Sequence, residues 1–67
     1  MKTNDITIDD LNNKGVEIFG NIDNFNSWMY CESYGLNYEQ PIEIIKKNGG
    51  IERVYNELVN IKFGNTA

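Results

Sequence analysis

The sequence predicts an all-α fold, a compact bundle of four short helices. Three observations lead there. Apolar residues recur at spacings of three and four, the period of a helix, and no stretch alternates convincingly in the period of two that marks a half-buried strand. Capping residues stand where the stripes begin, and glycines stand where they end. The connections between stripes are short, which favours helices packed on one another.

The first helix opens at Thr7, whose hydroxyl suits an N-cap, with Asp9 and Asp10 in the first turn where carboxylates favour the helix dipole. Ile8, Leu11 and Val16, with Ile18 and Phe19 near the end, supply its apolar stripe, and Gly20 stops it. Asn21 or Asp23 caps a second helix that carries Phe25, Trp28 and Met29. A loop from about Cys31 to Gln40 follows. Pro41 then stands where a first helical residue favours proline. Ile42, Ile44 and Ile45 ride a short third helix, ended by Lys46, Lys47 and the Gly49-Gly50 pair. In the fourth helix Ile51, Val54, Tyr55, Leu58 and Ile61 form one stripe. Glu52 near its start and Lys62 near its end suit the dipole, and Gly64 is a natural left-handed stop.

Sixty-seven residues make one domain at most, and a chain of this size buries only ~60% of the surface its unfolded form exposes. Stability is therefore expected to be modest and to rise when a partner covers more apolar area. The composition, 40% hydrophobic and 24% charged with one proline, is that of a globular protein, and eleven asparagines make its loops polar. No internal repeat, low-complexity segment or dividing linker occurs.

Charge excludes one class of partner. Ten acidic residues against six basic ones give a net charge of −4, and no basic run exceeds Lys46-Lys47. A nucleic-acid binder masses lysine and arginine on one face to displace counterions from phosphates, so no direct nucleic-acid binding is expected. An acidic surface suits a partner with a basic cleft, where it speeds association and sets orientation. Thr3, Asn4 and Asp5 follow Met1-Lys2 with no apolar stretch, and no run approaches the ~18 apolar residues of a membrane span. No membrane association is expected, and the cytoplasm is the expected location.

The catalytic inventory is poor. Without histidine, both the usual general base and the commonest metal ligand are absent. Cys31, the only cysteine, lacks a base partner and is expected to be a small apolar filler. Asn21-Ile22-Asp23 opens like a calcium loop, but Phe25 stands at the fifth position and no glycine follows at the sixth. Gly49-Gly50 lacks the Lys-Ser or Lys-Thr of a phosphate loop and reads as a helix stop. Asp9-Asp10 reads as a charged helix start. The expectation is a protein that is not an enzyme and holds no metal or cofactor.

Taken in series, Phe19-Gly20-Asn21, Trp28-Met29, Leu36, Pro41-Ile42-Glu43-Ile44-Ile45, Gly50, Val54, Leu58, Ile61 and Gly64 resemble the toxin-binding domain of the Xre/MbcA/ParS antitoxin family. That pattern runs Phe-Gly-Ser, Trp-Leu, a loop with Ala-Leu-Gly-Gly, Pro-x-x-x-Leu, Gly-x-x-x-Val and a final helix ending in glycine. The intervals from Trp28 to Pro41, Pro41 to Gly50 and Gly50 to Gly64 agree without a gap. The chain departs from the pattern in its loop: Glu32 stands where a proline is usual, Asn37-Tyr38 replaces a glycine pair, and Gly35 stands where alanine is common. The resemblance implies a single domain over residues 1–67, with 1–11 an N-terminal extension and start of the first helix and 12–67 the toxin-binding domain. It also implies the toxin-binding half alone, without the helix-turn-helix region that family members commonly carry.

The resemblance implies a bacterial antitoxin that neutralises a cognate toxin, typically a RES-type enzyme that degrades NAD⁺, by covering its active-site entrance. On that basis the toxin-binding residues are expected among the exposed positions of the last helix, Arg53, Glu57 and Asn60, and its end: Lys62, Phe63, Gly64, Asn65, Thr66 and Ala67. For each, a merely solvated surface is the competing reading. Phe63 lies off the centre of the apolar stripe and is expected to pack partly on the bundle and partly on the partner. Trp28, Leu36, Ile44, Val54 and Leu58 are expected in the core, and Gly20, Pro41 and Gly50 as backbone devices. A homodimer or a hetero-oligomer with the toxin stays open. So do a helical interaction or dimerisation module, an inhibitor of a different enzyme, and a transcriptional regulator that borrows a DNA-binding partner.

Overall fold

Thr7 and Asp10 start the first helix by satisfying each other. The Asp10 backbone N–H donates to Thr7 Oγ1 at 3.2 Å, and the Thr7 N–H donates to Asp10 Oδ2 at 3.1 Å, a reciprocal capping box that removes two unpaired donors. The computed structural model describes residues 6–64. They form α1 (Ile8–Phe19), α2 (Ile22–Met29), a 3₁₀ turn at Tyr34–Leu36, α3 (Pro41–Ile44) and α4 (Gly50–Lys62). Among the described residues no strand forms, and a single bridge pairs Ser33 with Glu39. The expected all-α bundle of four short helices is what the chain builds.

Gly20 ends α1 in the left-handed conformation, φ 92°, and the chain reverses at once into α2. Of the two caps expected there, Asn21 holds the position: its side-chain oxygen accepts the Asn24 N–H at 2.8 Å. Asn24 also donates from its side chain to the Phe19 carbonyl at 3.3 Å, bracing the elbow between the two helices. Pro41 occupies the first turn of α3, as expected, and is itself buried. The third helix is shorter than its isoleucines suggest, ending at Ile44 and passing through turns to Gly49.

The core is Leu11 from α1, Phe25 and Met29 from α2, Leu36 from the 3₁₀ turn, Ile44 from α3, and Val54 and Leu58 from α4. α1 packs on both α2 and α4, and α3 closes against α4. The radius of gyration, 11.1 Å, is close to the ~11 Å expected of a compact chain of this length. Two contacts require glycine. A β-carbon on Gly15 would lie 2.2 Å from the Phe25 ring, and one on Gly50 would lie 1.7 Å from the Ile44 carbonyl oxygen. Gly50 is therefore the first residue of α4 because the backbone of α3 sits against it. That shifts the buried line of α4 to Gly50, Val54, Glu57 and Leu58, leaving Ile51, Tyr55 and Ile61 half-buried at its margins.

Three core expectations need correction. Trp28 is half-buried: Phe25 and Met29 take the inward positions of α2, and the indole lies at the edge of the aromatic cluster. Ile8 remains 42% exposed because the first turn of α1 projects past the packed layers. Cys31 is exposed and fills nothing, since α2 has already ended at Met29 and the chain has turned outward.

Candidate partner-binding surface

The loop between α2 and α3 is closed by hydrogen bonds, which lets it form one wall of a site. Ser33 N–H donates to the Glu39 carbonyl at 3.2 Å, Tyr38 N–H donates to the Ser33 carbonyl at 2.7 Å, and the Gln40 side chain donates to the Tyr30 carbonyl at 2.8 Å. To make this turn, Asn37 and Tyr38 adopt left-handed backbone, φ 60° and 65°. Asparagine tolerates that conformation, whereas a bulky residue there is strained. These two positions are where the resembled pattern has its glycine pair, the residue type for which left-handed backbone carries no steric cost.

Between this loop and the helices lies a recess of about 410 Å³, lined by Phe19, Trp28, Glu32, Ser33, Gly35, Glu57 and Ile61. Phe19 and Trp28 lie side by side at its wall, their rings tilted by 32° with centroids 5.7 Å apart. Glu57 was expected on the exposed face of α4, but the fold places it inward, 7% exposed. Gly35 makes room for it: a β-carbon there would lie 2.3 Å from a Glu57 carboxylate oxygen. No described residue forms a hydrogen bond or ion pair with that carboxylate. Because no fully enclosed side-chain oxygen lacks a partner among the described residues, the Glu57 carboxylate meets solvent through the recess.

The other expected contact residues separate into three groups. Arg53 and Asn60 are exposed on α4, and with Asn56, which was not among the expected residues, they fall within about 60° of one another at ~100° per residue, one polar stripe away from the core. Arg53 makes no ion pair among the described residues. Lys62 is turned back to the bundle instead, where its ammonium pairs with Glu17 of α1. Glu17 also takes Lys14 at 3.3 Å, and these two lysines, Lys62 first, hold its carboxyl below the ordinary glutamate value. Phe63 caps the end of α4 and is 69% exposed. It stands at the C-cap, past the last residue of the helix. Gly64 follows with φ 75°, the expected stop. Asn65, Thr66 and Ala67 lie outside the described residues.

A second recess, about 340 Å³, opens elsewhere on the molecule and is lined by Ile8, Asn12, Phe25, Asn26, Met29, Tyr30, Ile42 and Ile45. It holds no charged side chain. Among the described residues no group of histidine, cysteine, aspartate or glutamate is arranged to hold a metal, and no helix is long and apolar enough to cross a membrane.

Sequence reasoning missed Glu32, Gly35, Phe19 and Trp28 as parts of one site. The signal available was the departure of Glu32 and Gly35 from the loop pattern, in the same short segment. The sequence model of the antitoxin Xre/MbcA/ParS C-terminal toxin-binding domain matches residues 14–64 of this chain. Comparison with curated proteins and with solved structures returns no match.

Proposed function

The chain belongs to the Xre/MbcA/ParS antitoxin C-terminal toxin-binding domain family, and from that premise we propose that it neutralises a RES-type, NAD⁺-degrading toxin by covering the active-site entrance with the end of α4 and the residues after it. The observation that carries this reading is Phe63. A large apolar ring left 69% exposed at a helix end adds little to the fold and is the type of residue that anchors an interface. Charge supports the same orientation. A pocket that binds an anionic dinucleotide is electropositive, and a chain of net charge −4 complements it. The chain acts by occupying space and supplies no catalytic group.

The test is to express the chain with a RES-type toxin and follow growth and cellular NAD⁺. Both are expected to recover, with inhibition weakening as salt rises. A second form truncated after Gly64 is expected to melt as the full chain does, since residues 65–67 follow the helix stop and their loss is expected to cost well under ~1 kcal/mol, yet to inhibit less. Tight binding with undiminished NAD⁺ loss would exclude the covering mechanism. Full inhibition by the truncated form would make residues 65–67 bystanders.

The apolar recess favours a second reading, self-association through Ile8, Tyr30 and Ile42. Light scattering across a concentration series separates the two: a dimer lost in Tyr30→Asp with toxin inhibition intact would place self-association on that face and inhibition elsewhere.

A further inference from the structure

We infer that the recess around Glu57 is a socket for one arginine side chain presented by a protein partner. The inference deepens the proposed function, since it rests on the partner being the toxin, and it names the chemistry by which this surface recognises that partner. Glu57 is 93% buried as a residue, yet its carboxylate opens on the recess with no cation against it, so a cation entering there meets it directly and in a partly water-excluded setting. No described residue supplies that cation. Arg53, one turn earlier on α4, is exposed and makes no ion pair among the described residues. Lys62 is committed to Glu17, and Lys46 and Lys47 pair with Glu43 and Glu39 at 3.5 and 3.2 Å.

The lining selects the form of the missing cation. Glu57 and Glu32 place two carboxylates at the recess, and Phe19 and Trp28 add flat aromatic faces beside them. A guanidinium is planar, weakly hydrated, able to grip a carboxylate through two parallel N–H donors and able to stack on a ring. A lysine ammonium is compact and strongly hydrated and uses the aromatic wall less well. The volume, about 410 Å³, lies near the small end of the ~300–1,000 Å³ range of ligand pockets and suits one long side chain. Ile61, one turn beyond Glu57 and two residues before Phe63, lines the recess as well, so an arginine seated there lies on the side of α4 that leads to the Phe63 end.

The test uses the full chain and a defined probe. Nα-acetyl-arginine amide is titrated into labelled protein, with the neutral citrulline counterpart as control. The expected result is saturable shifts at the Trp28 indole N–H and the Gly35 amide, at least fivefold weaker for citrulline. Glu57→Gln keeps the shape and removes the charge. Gly35→Ala adds a β-carbon where the carboxylate now sits and drives it out of the recess. Each is expected to weaken the arginine response at least fivefold, and Gly35→Ala decides the matter if Glu57→Gln does not fold. Equal shifts with citrulline, no shifts, or an unchanged response in the folded variants would overturn the socket. Against a RES-type toxin, Glu57→Gln is expected to weaken binding at least tenfold, and unchanged toxin affinity would overturn the inference. If the wild-type chain binds no such toxin, the toxin reading fails while the arginine titration still decides the socket.

Discussion

The two ends of α4 are built on opposite terms. At its start, Gly50 lies so close to the Ile44 carbonyl that no side chain fits, and Val54 follows with no exposed surface. At its end, Phe63 faces solvent and Gly64 turns the chain away. The first end is held by backbone-to-backbone contact, and the second by one ion pair to α1. One helix thus contributes to the fold through one end and, under the proposed function, offers the other to a partner. Effects on stability and on binding should separate along its length.

Gly50→Ala is the strongest way to break that separation. Replacing glycine with alanine inside a helix ordinarily stabilises by ~0.5–1 kcal/mol, but here the added carbon meets backbone that cannot rotate aside. We expect the opposite sign and a loss of about 3 kcal/mol or more, measured by urea denaturation. For a domain whose whole stability is roughly 3–10 kcal/mol, that leaves a chain largely unfolded or nearly so. A neutral or stabilising outcome would show that α3 and α4 are not in the tight contact described.

Phe63→Ala tests the other end. A buried ring would cost ~3–5 kcal/mol of stability, and this exposed one is expected to cost under ~0.5 kcal/mol. Toxin affinity is expected to fall by about 2 kcal/mol or more if the ring is an anchor. A large stability loss would place the ring in the core and contradict its exposure.

The loop beside the recess offers a smaller effect of opposite sign. Tyr38 holds a left-handed backbone, φ 65°, which costs a bulky residue ~1–2 kcal/mol. Tyr38→Gly is expected to stabilise the chain by about 1 kcal/mol in thermal or urea melts, after loss of the contacts its side chain makes. Destabilisation would mean that those contacts outweigh the strain.

The smallest effect follows from pH. The folded-state value of Glu17 is depressed by Lys62 and then by Lys14. Its contribution to stability is therefore present above the unfolded glutamate value, ~4.3, and is lost as pH falls through the lower folded value. Melting temperature is expected to drop across that acidic window, and slightly less steeply in Glu17→Gln. Because Glu17 is on the surface, salt should erase most of the difference.

Much of the architecture was legible because its signals are local. Thr7, Asn21, Gly20, Pro41 and Gly64 act through hydrogen bonds or dihedral angles set by immediate neighbours, and each does what its chemistry requires. The site was less legible because it is made by residues distant in sequence. Glu57 lies within the hydrophobic flank of α4 yet carries a charge, and periodicity assigns charged residues outward. Only the fold shows that Gly35 vacates the space its carboxylate takes. Trp28 misled for a related reason: its apolar bulk suggests a core residue, while α2 is too short to bury Phe25, Met29 and the indole together. Cys31 sits beyond the last residue of a helix whose end the sequence marks with no glycine.

The pairing of Lys62 with Glu17 also bears on the entropy of association. It ties the last turn of α4 to α1 across most of the chain, so the segment that carries Phe63 is partly ordered before any encounter. Immobilising a flexible side chain at an interface costs ~0.5–1.5 kcal/mol, and a helix end already fixed in direction avoids part of that penalty. Glu17 is not among the residues that line the recess. Under the proposed function it would nevertheless help set how rapidly, and at what salt concentration, the exposed ring meets a partner in the right orientation.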